Sequence, residues 1–299
     1  MTHFDPKITP YSIDCGKFPV SGSSREKMEF LVRYAVLAPS SHNTEPWQFR
    51  LHDDAIDVLI NHARWLRVAD ADQRELHISV GCALENLLIA AEHFGLGHSV
   101  VLMPDPSDPL LAAKVTISDG GSAAVHRHPI LFDMIPVRHT NHGVYDGHPI
   151  PEDVRERFVA CCAEPEIVVH LTDDLTIKQS VDEWVVKGDT IQFAKPEYRE
   201  ELAYWIGKGV FGSSWLMSKV GQFAVSHFNM GKSTAKKDSD LLMSSPVFGL
   251  IASQSDDRPQ QIMVGQVYQR VSLLAASYGI WCQPMSQLVQ VADVKHELL

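Results

Sequence analysis

The sequence contains no uninterrupted apolar run of the ~18 residues that a membrane-spanning helix requires. Its most apolar stretch, residues 78–96, is interrupted by Glu85, Asn86, Glu92 and His93. The amino terminus has neither the basic segment nor the apolar segment of a signal peptide. We therefore expect a protein that is cytoplasmic and has no membrane partner.

Positive charge is also scarce, since 26 Lys and Arg residues face 37 Asp and Glu residues, for a formal net charge of −11. This balance argues against a nucleic-acid partner, because the phosphate backbone would be repelled. An anionic small ligand is still allowed, because it responds to the local field. The five cysteines include no CxxC pair, which is typical of reduced thiols in the cytoplasm.

Two common site motifs are missing. No HExxH occurs, and a group of histidines lies in loop-like sequence without carboxylates at metal-ligand spacing: His126, His128, His139, His142 and His148. Residues 231–234 resemble the end of a phosphate loop, but Ser226 stands where that motif needs glycine. We therefore expect no metal and no nucleoside triphosphate site.

An internal repeat organises the chain. Residues 80–96 and 264–280 both read as apolar helices, and they align without a gap at a constant separation of 184 residues. Gly95 and Gly279 end them and suit a left-handed C-cap. We interpret the pair as two similar halves that pack together.

Other elements follow from periodicity. The pattern predicts helices over residues 25–38, 152–163 and 197–208, and strands over residues 47–51, 55–60, 167–171 and 246–252. Helices and strands alternate without a regular βαβ rhythm, which indicates an α+β fold. Residues 207–240 carry many Gly, Ser and Lys residues among aromatics and predict a mobile flap.

Two polar segments could carry chemistry. The first, residues 38–49, is a helix end followed by a turn that offers two hydroxyls and an amide to the edge of a flat ligand; it also fits a helix-capping turn. In the second, residues 136–145, Arg138 can bind a phosphate in a bidentate way, with Thr140 and backbone amides as further donors. A solvated polar loop is the alternative there.

Together these segments resemble the two FMN-binding motifs of the nitroreductase superfamily, closest to its fused, double-length, Acg-like branch. The motifs are Pro-Ser-Ser-x-Asn-x-x-Pro-Trp at residues 39–47 and Arg-His-Thr-Asn-His at residues 138–142. Residues 67–81 are also similar to that branch. The resemblance implies a nitroreductase-like α+β fold in which two degenerate repeats form a pseudo-dimer. Its parts are an N-terminal extension (1–24), a first half (25–130) and a second half (131–299) with a lid at 207–240.

The resemblance also implies one FMN per chain, at the seam between the halves. The first half has only residues 22–26 where an arginine-rich motif would stand, and the second has residues 161–166 where the hydroxyl turn would follow. The flavin carries the chemistry, so no catalytic side chain is expected. The implied cofactor-binding residues are Pro39, Ser40, Ser41, Asn43, Arg138, His139, Thr140, Asn141, His142, Pro284, Met285, Ser286 and Gln287.

The function implied is electron transfer from NAD(P)H to a nitroaromatic, quinone or similar flat acceptor. One alternative is a flavin-sequestering protein whose lid, with Trp205, Phe211, Trp215, Phe223 and Phe228, excludes nicotinamide. A ligand-free scaffold of the same fold is another. Glu45 and His142 replace the family's usual Gln and Lys or Arg, and the sequence ends at Leu299 before a basic segment, so we expect weakened FMN affinity.

Overall fold

The computed structural model describes residues 13–210 and 215–298. Its first half forms α1 (Ser24–Ala35), β1 (Trp47–Leu51), β2 (Ala55–Ile60), α2 (Arg74–His93), β3 (Leu96–Leu102), β4 (Leu111–Asp119) and α3 (Ile130–Met134). Its second half forms α4 (Glu152–Ala160), β5 (Ile167–Thr172), α5 (Leu175–Ala194), α6 (Pro196–Gly207), α7 (Trp215–His227), α8 (Gly231–Ser244), β6 (Phe248–Ser253), α9 (Arg258–Ser277), α10 (Gln287–Gln290) and α11 (Ala292–Leu298). Among these described helices, none has the length and apolar character needed to span a bilayer.

The strands form two antiparallel sheets, with the orders β1-β2-β4-β3 and β5-β6. The predicted hairpin of β1 and β2 is confirmed at all four strand boundaries, with Trp47 opposite Ile60 and Leu51 opposite Ile56. Every residue of β2 is buried, because helices and neighbouring strands cover both of its faces. The mixture of helices with antiparallel strands confirms the α+β class.

The two repeat helices, α2 and α9, form the centre of the molecule. Each has 20 residues, and the separation of 184 residues holds at both ends. Gly95 and Gly279 follow them with φ of 72° and 71°, so the predicted left-handed caps are confirmed. Both helices begin six residues before the predicted start, where the side chains of Asp70 and Asp257 accept hydrogen bonds from backbone N–H groups of the first turns.

Helices α2 and α9 cross at a pair of glycines. A Cβ on Gly81 would overlap the carbonyl oxygen of Ile262, and a Cβ on Gly265 would overlap that of Ile78. These two contacts exchange with each other when 184 residues are added or subtracted. The backbones therefore meet directly, in a reciprocal arrangement that only glycine permits.

Buried polar side chains join the same two helices beyond the crossing. Gln269 donates to Asn86 at 2.7 Å, Gln266 donates to Glu85 at 2.9 Å, and Arg270 lies 3.0 Å from Glu85. These groups satisfy one another where water does not reach, which fixes how α2 and α9 align along their length.

Several boundaries differ from the predictions. Helix α1 ends at Ala35 and α4 at Ala160, each three residues early. The described part of residues 207–240 is mostly helical rather than a loop, because Ala235, Leu241 and Leu242 give α8 a buried face. Phe211, the Trp215 side chain and residues 1–12 of the N-terminal extension lie outside the described residues.

Candidate functional site

Residues 39–45, here called the hydroxyl turn, hold an unusual backbone. His42, Asn43 and Glu45 have φ of 49°, 51° and 50°, a left-handed conformation that costs free energy for residues other than glycine. The Ser40 hydroxyl accepts a hydrogen bond from the Glu45 backbone N–H at 2.9 Å. Ser40 thus stabilises the turn itself, as the capping interpretation expected, while the strain suggests a second purpose.

The hydroxyl turn is attached to the first turns of α2. The Ser41 backbone N–H donates to the Ser79 hydroxyl at 3.3 Å, and the Ser41 hydroxyl lies 3.5 Å from a Glu75 carboxylate oxygen. Burial raises the pKa of Glu75, and the neighbouring Arg74 opposes that rise. A cavity of about 10 Å³, lined by Ser41, Thr44 and Ser79 among others, has room for about one water molecule.

Residues 136–145, the arginine loop, follow α3. The Arg138 backbone N–H donates to the Met134 carbonyl oxygen at 2.8 Å. The Arg138 Nε is buried and has no hydrogen-bond partner, and no described carboxylate forms an ion pair with this guanidinium. A buried donor without a partner costs about 1–3 kcal/mol, so Arg138 is suited to receive an anion.

The arginine loop lies beside the segment that precedes α10. Thr140 pairs with Cys282 in a parallel bridge, and the Asn141 backbone N–H donates to the Cys282 carbonyl at 3.1 Å. The rings of His139 and Trp281 have centroids 3.9 Å apart. Two sequence segments that the resemblance assigned to one site are therefore adjacent.

The two loops both border α2. Burial raises the pKa of the Cys82 thiol, and the positive charge of Arg138 opposes this rise, so Arg138 lies within electrostatic range of Cys82. Cys82 is three residues after Ser79, which holds Ser41, and residues at this spacing share one helix face. Arg138 and the hydroxyl turn thus border neighbouring turns of a single helix.

Helices α5 to α8, here called the covering helices, lie against both loops. The Asn43 amide donates to the carbonyl oxygen of Val210, which follows α6, at 2.7 Å. The ring centroids of His42 and Tyr198 are 6.5 Å apart. At the other loop, the Tyr145 backbone N–H donates to the Ser244 hydroxyl of α8 at 3.0 Å.

His142 faces α8 as well. Burial and the charge of Lys237 lower the pKa of His142, while Asp238 opposes them. The imidazole is therefore neutral near pH 7 and acts as a hydrogen-bonding group rather than as a second cation.

Of the last four predicted residues, Pro284 is exposed, Met285 and Ser286 are half-buried, and Gln287 is buried. The Gln287 side chain donates to Asp189 of α5 at 3.2 Å and to Asp238 of α8 at 3.3 Å. These two carboxyls were not predicted. A signal existed, because Asp189 continues the four-residue spacing of the buried residues Val181 and Val185.

The second half treats its corresponding turn differently. Within residues 161–166, Cys161 and Glu164 accept hydrogen bonds from Arg270, the first through its carbonyl at 2.8 Å and the second through its carboxylate at 2.5 Å. Arg270 is itself completely buried against Glu85. This turn therefore belongs to the core and offers no free hydroxyl.

No protein-family model matches the chain. Among curated proteins, it is 25% identical over 281 residues to a Mycobacterium tuberculosis protein with the provisional name NAD(P)H nitroreductase Rv3131, covering 90% of this chain and 79% of that one. It is 22% identical over 308 residues to PigM of a Serratia species, also provisionally named an NAD(P)H nitroreductase, covering 92% and 84%. The mycobacterial protein Acg, named in the same way, is 23% identical over 180 residues, covering 59% and 53%.

Proposed function

We propose that this chain, a relative of the NAD(P)H nitroreductases, is an FMN-dependent oxidoreductase that passes electrons from NAD(P)H to nitroaromatic, quinone or similar flat acceptors. The observation that carries the proposal is the buried, unpartnered Nε of Arg138 in a chain whose net charge is −11. Such a cation fits a phosphate. FMN, when bound, would supply the hydride chemistry, and the protein binds and orients it.

The residues around Arg138 fit the rest of that cofactor. Thr140 and the backbone amides of the arginine loop would complete the phosphate contacts, with the neutral His142 as a weaker partner. The strained hydroxyl turn, with Pro39, Ser41 and Asn43, would lie along the flavin ring, and backbone N–H groups of residues 284–287 would approach it from α10. Since His142 adds no positive charge, we expect moderate FMN affinity.

A single FMN per chain is part of the proposal. The reciprocal contacts of Gly81 and Gly265 support two fused repeats that form a pseudo-dimer. Only the first half keeps a hydroxyl turn, because Arg270 ties residues 161–166 to the core. A flavin-to-protein ratio near two would contradict this stoichiometry. The five free cysteines support a cytoplasmic location.

Replacing Arg138 with Ala is expected to weaken FMN binding about 10- to 150-fold, because a charge-assisted hydrogen bond to phosphate contributes about 1.5–3 kcal/mol. Quenching of flavin fluorescence on titration measures the affinity. The control is Arg157→Ala, which removes an exposed arginine of α4. Unchanged affinity in the Arg138 variant would take this residue out of the site, and a protein that neither carries nor binds FMN would overturn the proposal.

The second candidate function is flavin sequestration with little turnover. It is favoured by the hydrogen bonds that the covering helices make to both loops, at Asn43 and Tyr145. The two candidates differ in one spectrum. Flavin bands that NAD(P)H bleaches and a nitroaromatic restores support the oxidoreductase, whereas flavin that stays oxidised under excess NAD(P)H supports sequestration.

Replacing Ser244 with Ala tests whether α8 limits access. Its hydroxyl is the acceptor for the Tyr145 backbone N–H, and losing one such bond contributes about 0.5–1.5 kcal/mol, or about 2- to 12-fold faster reduction of bound flavin by NAD(P)H. The matched control is Ser245→Ala, because the Ser245 hydroxyl bonds only within the helix end, to Leu242. Equal stopped-flow rates for the two variants would rule out this role of α8.

A further inference from the structure

An acidic pair lies inside the covering helices, at the contact between α5 and α8. Asp189 of α5 is 3% exposed, and Asp238 of α8 is half-buried. Gln287 of α10 donates one hydrogen bond to each carboxyl group, at 3.2 and 3.3 Å. The second oxygen of Asp189, Oδ2, is buried and accepts no hydrogen bond from a described donor, and no described Lys or Arg forms an ion pair with either carboxyl.

Two carboxylates held this closely out of water cannot both carry a charge at low energy cost. Burial, and next the charge of Asp238, raise the pKa of Asp189 to about 7, although the Gln287 hydrogen bond opposes the rise. Burial also raises the pKa of Asp238. The pair therefore holds one proton in the closed arrangement, and that proton supplies the hydrogen bond that Asp189 otherwise lacks.

The surrounding charged groups are few. Lys237 of α8 and His142 of the arginine loop favour the ionised form of Asp238. From α6, Tyr198 faces both carboxyls and stays neutral because burial raises its pKa, while Glu201 adds negative charge nearby. The neutral amide of Gln287 faces the pair from α10 and donates to both carboxyls. No cation therefore replaces the shared proton on the Asp189 side.

We propose that Asp189 and Asp238 form a proton-controlled latch, which holds α8 against α5 and α10 while the pair shares a proton and releases α8 when both carboxyls ionise. Helix α8 also carries Ser244, the acceptor for the Tyr145 backbone N–H, so its release uncovers the arginine loop. The latch goes beyond the proposed function and does not require bound flavin. It would make access to the site depend on pH.

The sign of the effect follows from proton linkage. In the open form both carboxyls are solvated and have ordinary pKa values near ~3.9. In the closed form the pair binds one more proton, up to pH of about 7. Opening of α8 therefore increases as the pH rises from about 4 to about 7, by at most ~10-fold per pH unit, and is constant above that range.

Amide hydrogen exchange on the full chain as purified tests the latch. After correction for intrinsic exchange rates, protection of residues 231–244 is expected to fall at least ~10-fold between pH 5 and pH 7 and then to level off. The double variant Asp189→Asn and Asp238→Asn should lose this slope, and Asp238→Asn alone should reduce it. The control Asp240→Asn, on the exposed face of α8 beside Lys236, should keep the wild-type slope.

A wild-type protein whose α8 protection does not change with pH would overturn the latch, as would a double variant that keeps the slope. If the double variant does not fold, Asp189→Asn alone replaces it, and an unchanged slope there has the same meaning. The result is separate from the proposed function. A protein that binds no FMN can still show the slope, and one that binds FMN can lack it.

Discussion

Replacing Glu85 with Gln is expected to destabilise the fold by about 3–5 kcal/mol, the usual cost of removing one partner from a buried ion pair. Glu85 is completely buried on α2. Arg127 donates to it at 2.6 Å, Arg270 lies at 3.0 Å, and Gln266 donates at 2.9 Å. A glutamine has the same shape, but it removes the negative charge and points N–H groups at a ring of donors.

The protonation of Glu85 gives this prediction a pH signature. Burial by itself would raise the pKa of Glu85, but the charges of Arg127 and Arg270 outweigh it and lower the pKa to about 2. The lowered pKa stabilises the folded state fully above the unfolded value of about 4.3, and this stabilisation is lost as the pH falls towards 2. Acid should therefore narrow the stability difference between the wild type and the glutamine variant.

Urea unfolding at pH 7 and pH 3 measures both effects. The matched control is Glu29→Gln on α1, whose partner Arg25 lies 3.1 Å away in solvent, and we expect it to cost less than about 1 kcal/mol. If both variants lose the same small amount, Glu85 does not hold α2 and α9 together in the way that its contacts indicate.

The elements predicted correctly are those whose signals are local. The hairpin of β1 and β2 has a period of two and a turn at Asp53 and Asp54, and all of this lies within about a dozen residues. The ends of α2 and α9 were predicted because Gly95 and Gly279 occupy the one position in each segment that favours a left-handed residue. Neither inference needs knowledge of a distant partner.

The elements that were missed depend on distant contacts. Helix α5 buries Val185 and Asp189 on one face, and an aspartate at a core position hides the apolar period on which the prediction depends. Helix α8 has many Ser and Lys residues, which are typical of a loop until Leu241 and Leu242 find a surface to bury. That surface is formed by residues about 50 positions away.

The candidate site divides in the same way. The motif around Arg138 identified a phosphate-binding residue type, but the sequence could not show that its Nε is buried without a partner. Nor could it show that Ser41 is attached to α2 through Ser79, 38 residues further along the chain. The residues that reach the site from the covering helices, such as Val210 and Asp238, carry no motif at all.

Replacing Gly81 with Ala is expected to cost about 3 kcal/mol or more. The new Cβ would overlap the carbonyl oxygen of Ile262, and backbone atoms of two packed helices cannot move aside as a flexible side chain can. Because the contact is reciprocal, Gly265→Ala should cost about the same, through Ile78. The shift of α2 would also displace Ser79, and with it the hydroxyl turn, so FMN binding should weaken together with stability.

The double variant separates a shared strain from two local ones. If one displacement of α2 from α9 relieves both overlaps, the variant with both alanines should lose clearly less free energy of unfolding than the two single losses added together. Gly221→Ala in α7 is the control, since its Cβ would meet only a methyl group of Ile206 at 3.2 Å. Strictly additive losses, or losses below about 1 kcal/mol, would show that the two helices do not cross through backbone contact at these glycines.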